Sequence, residues 1–305
     1  MHSRRYSYKK TLILMFRYLC LYSVQPWSFL NLCINHCQAG PAEQFDQNRQ
    51  EWTHLRPKNP EAQYFQSSRH CYRVWLRDVA AELADGEHSS PLETVGFDIS
   101  ADQFPKSPAP RTKFVVWDMT TSFPEEYHSS FDVVHIRLVF PAVNAEQIKD
   151  VVKNLVELLR PGGYLQWTDA FENGIELTHR DDDGDPPCKY EEELMSRFLA
   201  EQGYSFHILG DVKNALQFLP VEDIHITDDT DAAYWRPEIR GMVTQWQARA
   251  MAFFLETILS QEGQSKEQAK MAADAYQEKA VALGKRGTIF KTLITTLVAR
   301  KKREL

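Results

Sequence analysis

Three aspartates and an arginine stand where short apolar runs end, and their types suit them to grip a polar ligand. Thr94-Val95-Gly96-Phe97 closes on Asp98, and Phe114-Val115-Val116-Trp117 closes on Asp118. Phe131 to Ile136 closes on Arg137, and Tyr164-Leu165-Gln166-Trp167 closes on Thr168 and Asp169. Runs of this kind read as strands, and in open α/β sheets ligands bind beyond the carboxyl ends of the strands. The closing residues are therefore candidate contacts for a cofactor. Two metal-like spacings do not hold up. Asp181, Asp183, Asp185 and Glu192 fall at positions 1, 3, 5 and 12 of a calcium loop, but Pro186 stands where a glycine must turn. That stretch reads as a solvated acidic loop. Cys33 and Cys37, with His36 between them, lack the second ligand pair of a zinc site. No metal is expected.

The elements that must position these residues follow from hydrophobic period and punctuation. Leu76, Val79, Ala80 and Leu83 share one helical face, and Asp85-Gly86 ends that helix. Leu92 to Ile99 is strand-like. Asn144 with Gln147 three residues on has capping-box spacing. Ile148, Val151, Val152, Leu155 and Leu159 form the stripe that follows, and Pro161-Gly162-Gly163 stops it. Strand, helix and strand alternate, which implies parallel strands joined by right-handed crossovers. Beyond Asp169 come helical patterns at Glu191–Glu201 and Asp211–Leu219, then a strand at Val221–Thr227. Helices at Glu238–Ser260 and Lys266–Leu283 and a final strand at Thr288–Val298 complete the chain. Residues 171–219 and 238–283 read either as helical lid insertions or as ordinary packing helices.

A chain of 305 residues with 43% hydrophobic content can build a large core, and a net charge of −7 argues against a nucleic-acid partner. The basic run Arg300 to Arg303 reads as a solvated tail. Five cysteines without regular spacing fit a reducing, cytoplasmic setting. Residues 1–69 form an atypical N-terminal segment, distinct from a domain over 70–305. In that segment Arg4, Arg5, Lys9 and Lys10 precede an apolar run, Thr11 to Val24, that Arg17 interrupts. The run is too short to span a bilayer, which takes about 20 apolar residues. No stable membrane insertion is expected. A weak secretory or anchoring signal, an N-terminal helix lying on the domain, and non-native sequence all remain open readings. Ala39 to Arg69, with Pro41, Pro57 and Pro60, is polar and without period.

The segment from Phe131 to Arg137, followed by a helix and then Leu159-Arg160-Pro161-Gly162-Gly163-Tyr164-Leu165, resembles the core of class I S-adenosylmethionine-dependent methyltransferases. More narrowly, Gly163-Tyr164-Leu165-Gln166-Trp167 is similar to fungal enzymes that methylate small secondary metabolites. The resemblance covers about Val74 to Lys301 and implies a Rossmann-like α/β fold, S-adenosylmethionine as cofactor and a small-molecule acceptor. It further implies that Asp98 accepts hydrogen bonds from the ribose hydroxyls, with Ile99 beside it. Asp118 would meet the adenine amino group while Met119 packs on the ring. Ile136 and Arg137 would contact the methionine part. Methyl transfer is mostly alignment of nucleophile, methyl and sulfur, so a base is needed only if the acceptor must lose a proton. Asp169, Glu172 and His135 are candidates for that task, and none is singled out.

One departure from the family is large. Its first strand and glycine loop should stand just before the helix at Trp75 to Ala84, yet Ser67-Ser68-Arg69-His70-Cys71-Tyr72-Arg73 stands there and no glycine occurs between Gly40 and Gly86. The first strand and its loop are thus expected to be absent from that place. Either a coding segment is missing upstream of Trp75, or an N-terminal apolar run, Leu12 to Leu21 or Phe29 to Ile34, fills the sheet's central slot. The loss also leaves room for a different class of function, a non-catalytic binding or scaffold protein. A nicotinamide dehydrogenase ranks third, since its fingerprint glycines are missing too.

Overall fold

The computed structural model describes residues 10–15, 93–101, 104–108, 110–140, 142–169, 177–178, 188–228, 237–285, 289–290 and 295–303. The helix expected over Trp75 to Ala84 lies outside them, as do Glu172 and the acidic loop at Asp181 to Asp185. The strands begin with β1 (Lys10–Met15), β2 (Glu93–Asp98), β3 (Thr112–Val116), β4 (Phe131–Arg137) and β5 (Leu159–Asp169). They continue with β6 (Leu177–Thr178), β7 (Val221–Asp228), β8 (Ile289–Phe290) and β9 (Thr295–Lys301). Seven of them form one sheet in the order β3-β2-β1-β4-β5-β9-β7. The first five strands are parallel to one another, whereas β9 runs antiparallel to both β5 and β7. A separate two-stranded ribbon pairs β6 with β8. The single final strand expected over Thr288–Val298 is therefore two short strands, one in each sheet.

The central slot is filled, which corrects the expectation that the first strand is absent. β1 comes from the N-terminal apolar run and pairs with β2 on one side, Leu12 opposite Val95, and with β4 on the other, Ile13 opposite His135. The physical reason is that an empty slot would strip the backbone partners from two neighbouring strands at once. The glycine loop has no counterpart at this new place either, because the chain holds no glycine before Gly40.

Residue types account for each strand's position. From Phe131 to Ile136 every residue of β4 is buried, the pattern of a strand covered on both faces. β3, at the edge, is only partly covered. The capping box at Asn144 is present, its backbone N–H donating to Gln147 Oε1 at 3.1 Å. It opens a short 3-10 turn, Ala145–Gln147, that runs into α1 (Ile148–Leu158). α1 lays Ile148, Val151, Val152, Leu155 and Leu158 into the core. The two motif halves that carried the resemblance are tied together here. Arg160 pairs with the buried Asp132, and a Cβ on Gly163 would meet Phe131 O at 2.9 Å, so β5 can pass β4 only with glycine there.

Past β5 lie α2 (Lys189–Glu201), α3 (Ile208–Leu216), α4 (Pro237–Gln261) and α5 (Lys266–Lys285). α3 packs on α1, β5 and β9, hence on a face of the sheet, while α4 and α5 form a hairpin and α2 touches α4. No helix among the described residues is long and apolar enough to cross a membrane.

Candidate functional site

Parallel pairing brings the carboxyl ends of β1 to β5 to one edge of the sheet. Asp98 lies opposite Val116, Met15 opposite Arg137, and Arg137 opposite Thr168. β7 runs parallel to β5 because both oppose β9, and Asp228 and Asp169 both pair with Thr295. The α4–α5 hairpin leaves after Asp228 and its chain re-enters the sheet at Thr295, so it is rooted at this same edge. All six residues expected at a cofactor site lie along the edge, on β2, on β4 or just after either β2 or β3.

Their environments differ sharply. Asp98 is buried, 1% exposed, and its Oδ1 accepts from Ser100 N at 2.8 Å while its carbonyl accepts from Trp117 N at 2.8 Å. Ile99 beside it is 46% exposed, and Val116 on the neighbouring strand is 51% exposed. An apolar shelf thus flanks a buried carboxylate. Asp118 is exposed and turned onto its own loop, accepting from Thr120 N at 2.9 Å and Thr120 Oγ1 at 2.8 Å. Met119 is fully buried in the core and its carbonyl accepts from Asn154 Nδ2 at 3.0 Å, so at the edge it offers backbone. Ile136 is likewise fully buried, whereas Arg137 is half-buried.

The candidate bases are placed for other tasks. His135 is buried, and its ring Nδ1 lies 3.0 Å from Gln166 Oε1, so Nδ1 carries the proton and donates. Burial first, and then the positive charge of Arg137, lower its pKa to about 3, against a weaker opposing pull from Gln166. It stays neutral, buried against Gln166. Asp169 is 2% exposed, and its carboxylate accepts from Val139 N at 3.1 Å, Phe140 N at 3.4 Å and Trp167 Nε1 at 3.0 Å. These oxygens point at backbone and indole donors. Glu172 lies outside the described residues.

Several residues that shape the site were not anticipated, although the sequence held a signal for some. Gln166 stands inside an otherwise apolar run and pairs in register with His135, a second polar residue inside an apolar strand. Asn154 interrupts the buried stripe of α1 and reaches across to Met119 O. Polar residues at buried positions of a periodic element need partners, and that need makes them conspicuous in the sequence itself. The grip of Asp169 on residues 29 and 30 positions earlier left no such mark.

Residues 78–166 match the family described as "Methyltransferase domain". This stretch contains Asp98, Ile99, Asp118, Met119, Ile136 and Arg137. The chain is similar to Methyltransferase grgD of a Penicillium species, 33% identical over 99 residues, which are 31% of this chain and 34% of that protein. It is similar to N-methyltransferase sirN of Leptosphaeria maculans, 37% identical over 92 residues and 30% of each chain. N-methyltransferase gliN of Aspergillus fumigatus is 34% identical over 98 residues, 32% of this chain and 33% of that one. The match thus spans about a third of the length of these relatives. Among solved structures, phosphoethanolamine N-methyltransferase 2 of Haemonchus contortus with S-adenosyl-L-methionine aligns with a TM-score of 0.40 at 17% identity, covering 75% of this chain and 46% of that one.

Proposed function

We propose that this chain, whose residues 78–166 match a methyltransferase domain, is a class I methyltransferase that transfers a methyl group from S-adenosylmethionine to a small-molecule acceptor, in the cytoplasm and in secondary-metabolite biosynthesis. The observation that carries the reading is Asp98, a buried carboxylate at the carboxyl end of β2 with an exposed apolar shelf, Ile99 and Val116, beside it. A carboxylate suits paired ribose hydroxyls because charge-assisted acceptance is roughly twice as strong as a neutral hydrogen bond. The shelf suits a flat apolar ring, and Asp118 stands at the next strand end for a polar group on that ring. On this reading Ile136 and Arg137 would meet the amino-acid part of the cofactor. The residues present therefore fit the adenosine part of the cofactor, which supplies a methyl group already activated on a sulfonium.

Nitrogen is the acceptor atom we favour. Two of the similar proteins are N-methyltransferases, and a nitrogen with its lone pair free needs no base. That accords with an edge where His135 is neutral and buried against Gln166 and Asp169 is engaged with backbone donors. Folded over this edge, where the α4–α5 hairpin is rooted, α2, α4 and α5 would exclude water around the transferring methyl group. Asp98→Ala should weaken binding of S-adenosylhomocysteine by about 1.5–3 kcal/mol, the worth of charge-assisted hydrogen bonds. Isothermal titration calorimetry reads this directly, and unchanged affinity would remove Asp98 from the site.

A further inference from the structure

We propose that Asp169 is a positioning residue, which fixes the turn after β4 and so the place of Ile136 and Arg137 at the ligand edge. The proposal rests on the methyl-transfer reading. Immediately after Arg137 the backbone enters the left-handed region at Leu138, φ 52°, a conformation that a bulky residue adopts only when its surroundings hold it there. Leu138 N donates to Thr168 O at 2.8 Å. The next two amides, Val139 N at 3.1 Å and Phe140 N at 3.4 Å, both point at the Asp169 carboxylate. Successive backbone N–H groups beside a left-handed residue make an anion-binding concavity. Here the chain supplies the anion itself.

The clamp is anchored on both sides. Trp167 Nε1 donates to the same carboxylate at 3.0 Å, and the Thr168 and Thr296 hydroxyls lie 2.9 Å apart, fixing β5 against β9. Beyond the turn, the buried Phe140 ring sits 6.1 Å from the ring of Tyr204 and 5.4 Å from that of Phe206. The direction the chain takes after Arg137 is therefore set by a carboxylate on the next strand. Losing it would leave buried amides short of an acceptor and release the strained Leu138, moving the end of β4 and little of β2.

Asp169→Asn tests this, since the amide keeps the shape but turns a donor toward a donor. Two ligands separate the parts of the site: S-adenosylhomocysteine, and 5′-methylthioadenosine, which lacks the amino-acid part. The expected result is S-adenosylhomocysteine affinity reduced about tenfold and methylthioadenosine affinity unchanged, with faster amide exchange at Val139 and Phe140. Trp167→Phe, which removes only the indole donor, should keep both amides protected. Equal losses for the two ligands, or native exchange in Asp169→Asn, overturn the proposal. In the unmodified protein, where folding is not in question, S-adenosylhomocysteine should raise protection at those two amides, and no change there also overturns it. Should the unmodified protein bind neither ligand, the methyl-transfer reading falls instead, and exchange in the variant still decides whether the carboxylate holds the turn.

Discussion

His135 and Asp169 show how burial changes what a residue type means. A histidine near a strand end invites an acid–base role, because its ordinary pKa lies near neutrality. In the fold it is sealed beside Gln166, with its pKa lowered to about 3 chiefly by burial. The unfolded chain then takes up a proton that the native state refuses, so stability is full above about pH 6.5 and falls as pH drops toward 3. Relative to His135→Gln, the native protein should lose about 2 kcal/mol more stability between pH 7 and pH 5. Urea denaturation at the two pH values measures this, and parallel losses would mean that the ring protonates freely in the folded state. The identities of the strand-end residues were legible from sequence, since period and punctuation place them. Their environments were not, because burial and partners are set by elements distant in the chain. Asp98 and Asp118 look alike in sequence, yet one is buried beside β1 and the other is exposed and folded onto its own loop.

At the level of elements, legibility followed the strength of the local pattern. β4 occupies the whole expected run from Phe131 to Arg137, and α2, α3 and β7 fall within a few residues of their expected bounds. Capping chemistry made α1 readable, but it stops at Leu158, and Leu159, expected on its stripe, opens β5, which runs through Pro161-Gly162-Gly163. β1 was the hard case. A short apolar run behind basic residues looks the same whether it is a signal, a helix or a buried strand, and only the demand of β2 and β4 for a partner decides between them. This makes β1 open to a direct test. Proline at Ile13 removes a backbone donor from a strand paired on both sides, Gly96 on one and His135 on the other. Ile13→Pro should cost at least about 2 kcal/mol in denaturant unfolding. An unmoved midpoint would show that another segment fills the slot.

Across the whole molecule, the proposed cofactor site would couple ligand binding to the sheet through β1. The sheet's order sets β1 between the strand that ends in Asp98 and the strand that ends in Arg137. Any ligand that bridges those two ends must cross the end of β1 at Met15. In sequence Met15 is followed by Phe16 and Arg17, not by the glycines of the family's loop. On the proposed reading, binding falls to side chains and strand ends, and a ligand that holds Asp98 and Arg137 together would stabilise β1 between them. A ligand that binds only the native state adds RT ln(1 + [L]/Kd), about 2.7 kcal/mol at a hundredfold excess over Kd. S-adenosylhomocysteine at that excess should therefore raise the melting temperature of the native chain by several degrees. Ile13→Pro should start from a lower melting temperature, and the same excess of ligand should raise it by a similar increment, because the protein that remains folded keeps its affinity. A native chain whose melting is unmoved by any concentration of ligand would instead favour the non-catalytic binding or scaffold protein that the missing glycine loop allows.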